Sequence, residues 1–154
     1  MKILLIGGGG REHAIATAIV KSRRCDKLYC APGNAGIARI ADCVPIGIME
    51  FDRQIDFVKK NDIDLVVCSQ DDPLCAGLVD AHEAAGIRVF GTRKNSAIIE
   101  GSKAFSKNLM KKYDIPTAAY EVFSDPDEAI SYLETRAKFP IVLKADGLAL
   151  GKGV

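Results

Sequence analysis

Short apolar runs alternate, in the first part of the chain, with stretches in which apolar positions recur every three or four residues. The runs cover residues 2–6, 27–31, 43–46, 65–68 and 88–91. Their continuous apolarity predicts strands buried on both faces. Helical faces are predicted between them, at Ala14, Ile15, Ala18 and Ile19, at Ile55 and Val58, and at Leu78, Val79, His82 and Ala85. Such alternation predicts an α/β fold with an open parallel sheet, Rossmann-like, joined by right-handed crossovers.

The pattern changes near residue 100, where Glu100 and Gly101 end one helix and Ser102 caps the next. We expect a domain boundary there, dividing the chain into residues 1–100 and 101–154. Beyond it we predict strands at 117–123 and 141–145, with a helix beginning near Pro126. The second domain is expected to be the incomplete start of a larger unit.

Composition narrows the possible partners. Lys and Arg total 21 against 20 Asp and Glu, so no net charge favours nucleic acid or an anionic membrane. The apolar runs are far shorter than the roughly 20 residues of a membrane span. Five cysteines without a C-x-x-C pair predict buried thiols in a reducing cytoplasm, neither a disulfide framework nor a zinc site. The two histidines are not spaced as a metal-binding pair.

Four glycines follow the first predicted strand and open the first helix, as Gly7-Gly8-Gly9-Gly10-Arg11-Glu12. Backbone N–H groups at a helix N-terminus attract a phosphate, and glycine lets it approach closely. Arg11 strengthens this interpretation because a guanidinium pairs with phosphate in a fork. A tight turn without a ligand is the alternative.

A dinucleotide site is disfavoured at this loop. The G-x-G-x-x-G pattern fails in both registers, since its third position is Glu12 or His13. The acidic residue expected at the end of the second strand is missing, because residues 30–34 read Cys-Ala-Pro-Gly-Asn. One phosphate bearing a sugar fits better.

Two further polar loops follow predicted strands, one containing Asn34 and the other Asp71. Strand C-termini border the ligand crevice of an open parallel sheet. We therefore expect Asn34 and Asp71 to bind sugar hydroxyls or an amine, although turn chemistry alone also explains such residues.

The chain's last residues form a glycine-rich loop, with Gly147, Gly151, Lys152 and Gly153, after a predicted strand that carries Lys144. The loop is one residue short of a Walker A element and lacks its Ser or Thr. It is still suited to cover nucleotide phosphates, with Lys144 as a point charge. A mobile loop with a surface lysine is the alternative.

Five motifs in order resemble the phosphoribosylamine–glycine ligase family of ATP-grasp enzymes across the whole chain. They are Gly9-Gly10-Arg11-Glu12-His13-Ala14, Ala31-Pro32-Gly33-Asn34-Ala35-Gly36, Glu100-Gly101-Ser102-Lys103-Ala104-Phe105, Ile115-Pro116-Thr117-Ala118 and Lys144-Ala145-Asp146-Gly147-Leu148-Ala149 with Gly151-Lys152-Gly153-Val154.

The resemblance implies a pre-ATP-grasp domain followed by the start of an ATP-grasp domain, in a chain that continues past Val154. It implies ATP-dependent ligation of glycine to 5-phosphoribosylamine through glycyl phosphate, with Mg²⁺ or Mn²⁺ bound by residues beyond 154. Lys103, Lys144 and the loop from Gly147 to Gly153 are then expected to contact ATP. Gly9, Gly10, Arg11, Glu12, Asn34 and Asp71 are expected on the sugar-phosphate side. We expect the 154 residues alone to be inactive.

One loop departs from the family pattern, since Ser69-Gln70-Asp71 stands where Gly-Pro precedes an acidic residue. Without the proline, we expect a less constrained backbone there. Three alternatives stay open: another ATP-grasp ligase or carboxylase of the purine pathway, a non-catalytic sugar-phosphate-binding module, and a nicotinamide-dependent oxidoreductase.

Overall fold

A computed structural model describes residues 1–149 and residue 154 of the chain. The chain divides into two compact units, Met1–Ala97 and Ile98–Val154. No helix in the described part of the chain has the length and apolarity needed to cross a bilayer.

The first unit is built on a parallel sheet. Its strands are β1 (Lys2–Gly7), β2 (Lys27–Pro32), β3 (Asp42–Cys43), β4 (Leu65–Cys68) and β5 (Val89–Phe90), in the spatial order β3-β2-β1-β4-β5. Every neighbouring pair is parallel. The predicted α/β fold with a parallel sheet is confirmed, although β3 and β5 are shorter than the apolar runs indicated.

The sheet carries apolar packing on both faces, because successive side chains of a strand point to opposite sides. Leu4 and Ile6 belong to one buried cluster, with Val66 of β4. Ile3 and Leu5 belong to the other cluster, with Leu28 of β2. β1 therefore lies at the centre of the core. Its buried C-terminal end anchors the glycine loop that follows it.

The helices of the first unit are α1 (Gly10–Ile19), a 3-10 turn (Ile37–Arg39), α2 (Phe51–Asn61), α3 (Asp71–Ala76) and α4 (Leu78–Ala84), and α5 (Lys94–Gly101) spans the division between the units. Leu78, Val79 and His82 of α4 are buried, as their spacing predicts. The predicted face of α1 is partly wrong, because Ala14 and Ala18 are exposed. Glu12 and Ala16 are the buried residues of that helix.

The second unit contains α6 (Lys103–Lys112) and α7 (Pro126–Thr135). The predicted Ser102 cap is confirmed, because Ser102 accepts a hydrogen bond from the N–H of Phe105. The helix predicted near Pro126 is confirmed as α7, and Asp125 caps it by accepting from the N–H of Asp127. The strands predicted at 117–123 and 141–145 are wrong for the described structure, where both segments are outside any sheet. A strand needs a hydrogen-bonded neighbour, and the described residues of this unit provide none.

Candidate functional site

Three loops follow the C-terminal ends of neighbouring strands at one edge of the sheet. They are the glycine loop after β1, residues 33–36 after β2, and residues 69–70 after β4. Because β1 lies between β2 and β4, the glycine loop is the middle one of the three. Ligands of open parallel sheets bind in a crevice at this end of the strands.

The glycine loop lies close to its neighbours. Gly7 has φ +126°, a value that favours glycine. A Cβ on Gly8 would strike the carbonyl oxygen of Gly33, whereas a Cβ on Gly10 would meet nothing within 4 Å. The N–H groups of Gly10 and Arg11, in the first turn of α1, have no intrahelical acceptor. The loop thus offers backbone donors without an intrahelical acceptor, at a position where a Cβ on Gly10 is unobstructed.

Glu12 lies beneath this loop, with 1% of its surface exposed. Its Oε2 accepts hydrogen bonds from the N–H of Gly9 (2.9 Å) and from Nε2 of Gln70 (3.1 Å), and its Oε1 accepts from Oγ of Ser69 (2.8 Å). Burial by itself raises the pKa of Glu12, but the hydrogen bonds from Ser69, Gly9 and Gln70 outweigh it and leave the pKa below its ordinary value. The carboxylate is therefore charged and engaged by the protein.

Arg11 and Asp71 lie on the surface next to the glycine loop. Nη1 of Arg11 donates to the carbonyl oxygen of Ser69 (2.6 Å) and lies 3.6 Å from Oδ1 of Asp71. The Arg11 side chain is 59% exposed and that of Asp71 39%. Asp71 is the first residue of α3, although its sequence context predicted a loop. The two predicted site residues are thus neighbours, with surface left for a ligand.

Asn34 connects the second loop to the glycine loop. Its Nδ2 donates to the carbonyl oxygen of Gly8 (2.8 Å), and its Oδ1 accepts from the N–H groups of Gly36 (2.8 Å) and Ile37 (2.9 Å). The side chain predicted to bind a sugar therefore already has three protein partners. Its remaining Nδ2 hydrogen is the group available for a ligand.

Part of the predicted ATP site lies in the second unit. Nζ of Lys103 donates to the carbonyl oxygen of Gly147 (2.7 Å). Asp146 accepts from the N–H of Ala104 (3.1 Å) and from Oγ of Ser102. Lys144 is exposed. The structure thus ties the start of the glycine-rich loop to the first turn of α6, and the predicted contacts Gly151, Lys152 and Gly153 lie outside the described residues.

No group of three or more His, Cys, Asp or Glu suited to a metal ion is present among residues 1–149 and 154. A polar cavity of about 370 Å³ is lined by residues such as Lys27, Arg39 and Asp42. It lies at the N-terminal ends of β2 and β3, at the opposite edge of the sheet from the three loops, and Lys27 and Asp42 already pair with each other at 2.5 Å.

Comparison with known families covers the whole chain. The N domain of phosphoribosylglycinamide synthetase matches residues 1–100, and the ATP-grasp (A) domain of the same enzyme matches residues 101–154. The chain belongs to the phosphoribosylglycinamide synthetase family. The resemblance found in the five motifs is confirmed.

Curated relatives extend well beyond this chain. It is 47% identical over 154 residues to a phosphoribosylamine–glycine ligase of Caldanaerobacter subterraneus subsp. tengcongensis, covering 100% of this chain and 37% of that protein. It is 51% identical over 156 residues to the Listeria innocua protein of the same name, with the same coverage. The chain thus spans a little over a third of the length of these relatives.

Solved structures share the fold. The crystal structure of phosphoribosylamine–glycine ligase from Thermotoga maritima superposes with a TM-score of 0.77 at 34% identity, covering 99% of this chain and 35% of that one. N5-carboxyaminoimidazole ribonucleotide synthetase from the same organism gives a TM-score of 0.60 at 20% identity, covering 86% of this chain and 36% of that one. At that identity, the second likeness concerns the fold alone.

Sequence reasoning missed the partners of Glu12. A glycine N-cap followed three residues later by Glu indicates the bond from the Gly9 N–H, since this is the spacing of a capping box. Ser69 and Gln70 are 57 and 58 residues away from Glu12, and no local pattern connects them. The loop expected to be loosely constrained for lack of proline is instead held by two side-chain hydrogen bonds.

Proposed function

We propose that the protein to which this chain belongs ligates glycine to 5-phosphoribosylamine, using ATP and forming glycinamide ribonucleotide, ADP and phosphate. The observation that carries this proposal is the match of both family domains, in order and end to end, along the 154 residues. The names of the curated relatives support the same activity. Because the chain spans 37% of those relatives, the activity is assigned to the whole protein.

The proposed reaction has two steps. A glycine carboxylate oxygen attacks the γ-phosphorus of ATP, which releases ADP and forms glycyl phosphate. The amine of 5-phosphoribosylamine then attacks the glycyl carbonyl carbon, loses a proton and displaces phosphate. Phosphorylation is needed because a free carboxylate is a poor acyl donor. We include Mg²⁺ as a cofactor because the ATP-grasp family resemblance implies it.

The residues of the first unit are proposed to bind the sugar phosphate. The N–H groups of Gly10 and Arg11, in the first turn of α1, have no intrahelical acceptor and are suited to the phosphate. Asn34 and Asp71 are assigned to the sugar and the amine. Gly9 belongs to the same loop, and its N–H donates to Oε2 of Glu12. Glu12 was expected on the sugar-phosphate side, but its carboxylate is buried under protein donors, so we assign it to supporting the loop.

The residues of the second unit are proposed to bind ATP. Lys103 and Lys144 supply positive charge for its phosphates, and the loop that begins at Gly147 is assigned to cover them. Gly151, Lys152 and Gly153 are included in this proposal on the resemblance alone. A cytoplasmic location and small-molecule partners, without nucleic acid or membrane, complete it.

An isotope experiment tests the proposal. The protein carrying this chain is supplied with ATP, 5-phosphoribosylamine and glycine labelled with ¹⁸O in its carboxylate. We expect glycinamide ribonucleotide, one ADP per product, and one ¹⁸O atom in the released phosphate. AMP and pyrophosphate as products, or unlabelled phosphate, would refute the proposed chemistry. That the 154 residues alone form no product stays a prediction, which the same assay checks.

A further inference from the structure

The contacts of Glu12 join two loops that are far apart in sequence. Its carboxylate takes one hydrogen bond from the glycine loop, at Gly9, and two from the loop after β4, at Ser69 and Gln70. No ion pair to this carboxylate is found within the described chain. Neutral donors therefore satisfy the buried charge, and losing them would be costly, because an unpaired buried charge is strongly unfavourable.

The loop held by Glu12 in turn places two predicted ligand contacts. The carbonyl oxygen of Ser69 accepts the hydrogen bond from Nη1 of Arg11, at 2.6 Å. Asp71 follows two residues later, with its Oδ1 3.6 Å from the same Nη1. A movement of Ser69 away from Glu12 would therefore shift both Arg11 and Asp71 relative to the glycine loop.

Glu12 itself is shielded from a ligand. Its side chain lies under the glycine loop, so closely that a Cβ on Gly7 would stand 2.5 Å from Cγ of Glu12 and 2.9 Å from Nε2 of Gln70. With 1% of its surface exposed and three protein donors on its oxygens, it has no free face toward solvent.

We propose that Glu12 is a positioning residue, which holds residues 69–71 against the glycine loop and so sets the places of Arg11 and Asp71. This assigns Ser69 and Gln70 a shared role as its donors. The inference rests on the proposed function only for the identity of the ligand, because the connection between the loops exists without one.

The chain contains a matched control for this interaction. Glu50 lies at the N-cap of α2, and its Oε2 accepts from the N–H of Gly47 (2.5 Å), three residues earlier, as Glu12 does from Gly9. Its Oε1 pairs with Arg53 (2.6 Å) within the same segment. Glu50→Ala therefore removes the local contact without disturbing another strand's loop.

The test compares Glu12→Ala, Glu12→Gln and Glu50→Ala in the protein that carries this chain, by amide hydrogen exchange of Leu74 and Gly77, whose N–H groups donate to the carbonyl oxygens of Gln70 and Pro73. We expect exchange roughly tenfold faster in Glu12→Ala, because three hydrogen bonds to a charged group are lost. Gln restores most of the protection, since its amide oxygen accepts from Gly9 and Gln70 while its amide nitrogen Nε2 donates to Oγ of Ser69. Glu50→Ala leaves these amides unchanged.

A second variant and a ligand readout keep the outcomes distinct. Should Glu12→Ala fail to fold, the double change Ser69→Ala and Gln70→Ala removes the two contacts that join the loops and leaves the Gly9 contact. It is expected to accelerate exchange likewise. The proposal would be overturned if Glu12→Ala and the double variant exchanged these amides as slowly as wild type. It would also be overturned if Glu12→Gln exchanged them as fast as Glu12→Ala. Ribose 5-phosphate affinity is expected to fall about tenfold with Glu12→Ala and to recover with Gln. If wild type does not bind ribose 5-phosphate, the proposed function fails there, and exchange alone decides the role of Glu12.

Discussion

Two alanine substitutions in the glycine loop should have opposite effects on stability. In Gly8→Ala the new methyl group meets the backbone carbonyl of Gly33, whose own N–H is bonded to the carbonyl of Gly7 at 3.0 Å. Backbone atoms on both sides are fixed, so β1 and β2 must separate at their ends. Gly10→Ala places the same methyl group in open space at the first position of α1.

Overpacking of this kind costs about 2 kcal/mol. With a urea m-value of about 2 kcal/mol/M, Gly8→Ala should lower the unfolding midpoint by about 1 M. Gly10→Ala should leave the midpoint unchanged or raise it slightly, because alanine is favoured over glycine in a helix by up to about 1 kcal/mol.

The assay is urea unfolding of both variants and wild type, followed by circular dichroism, with hydrogen exchange of the β1 amides reporting on the first unit. If Gly8→Ala is as stable as Gly10→Ala, the close approach of Gly8 to Gly33 is wrong, and with it the shape of the loop proposed to receive the phosphate.

Three further predictions concern titration and loop anchoring. Burial lowers the pKa of His82 below its ordinary 6.5, so the unfolded chain binds a proton there more readily than the folded chain. The free energy of unfolding should therefore fall as the pH drops below about 6.5, by at most about 1.4 kcal/mol per pH unit. His82→Gln should flatten the dependence of the urea midpoint on pH in that range, and an unchanged slope would contradict this. Asp146→Asn should speed amide exchange at the start of α6, because its carboxylate accepts a backbone N–H there, whereas Asp125→Asn, the matched cap of α7, should not. Iodoacetamide should modify exposed Cys43 before buried Cys30, whose pKa burial raises to about 12; peptide mass mapping that finds Cys30 first would refute the burial.

Sequence patterns predicted the elements whose signals are local. Ser102 and Asp125 are recognisable as caps because the residue type and its position before a helix suffice. The strands of the first unit were predictable because a double-sided parallel sheet requires continuous apolar runs. Residues 117–123 and 141–145 carry a similar pattern, but apolar sequence makes a strand only where a neighbour pairs with it.

The site was predictable only where its signals are local in sequence. The glycine loop is recognisable in the sequence because it lies between a predicted strand and a predicted helix. The parallel topology places the loops of Asn34 and Asp71 beside it, at the C-terminal ends of the strands. What each side chain does there depends on contacts distant in sequence. Asn34 bonds to Gly8 across 26 residues, and Glu12 is buried under donors from another strand's loop. Neither contact has a periodicity or a motif that reveals it.

Calorimetric titration of the 154-residue chain with ribose 5-phosphate tests the central claim, that the glycine loop receives a single sugar-linked phosphate. We expect one ribose 5-phosphate per chain, weaker binding in Arg11→Ala, and no heat from ribose or from NAD at the same concentrations. Binding of NAD in preference to ribose 5-phosphate, or equal binding of ribose and its phosphate, would contradict the account.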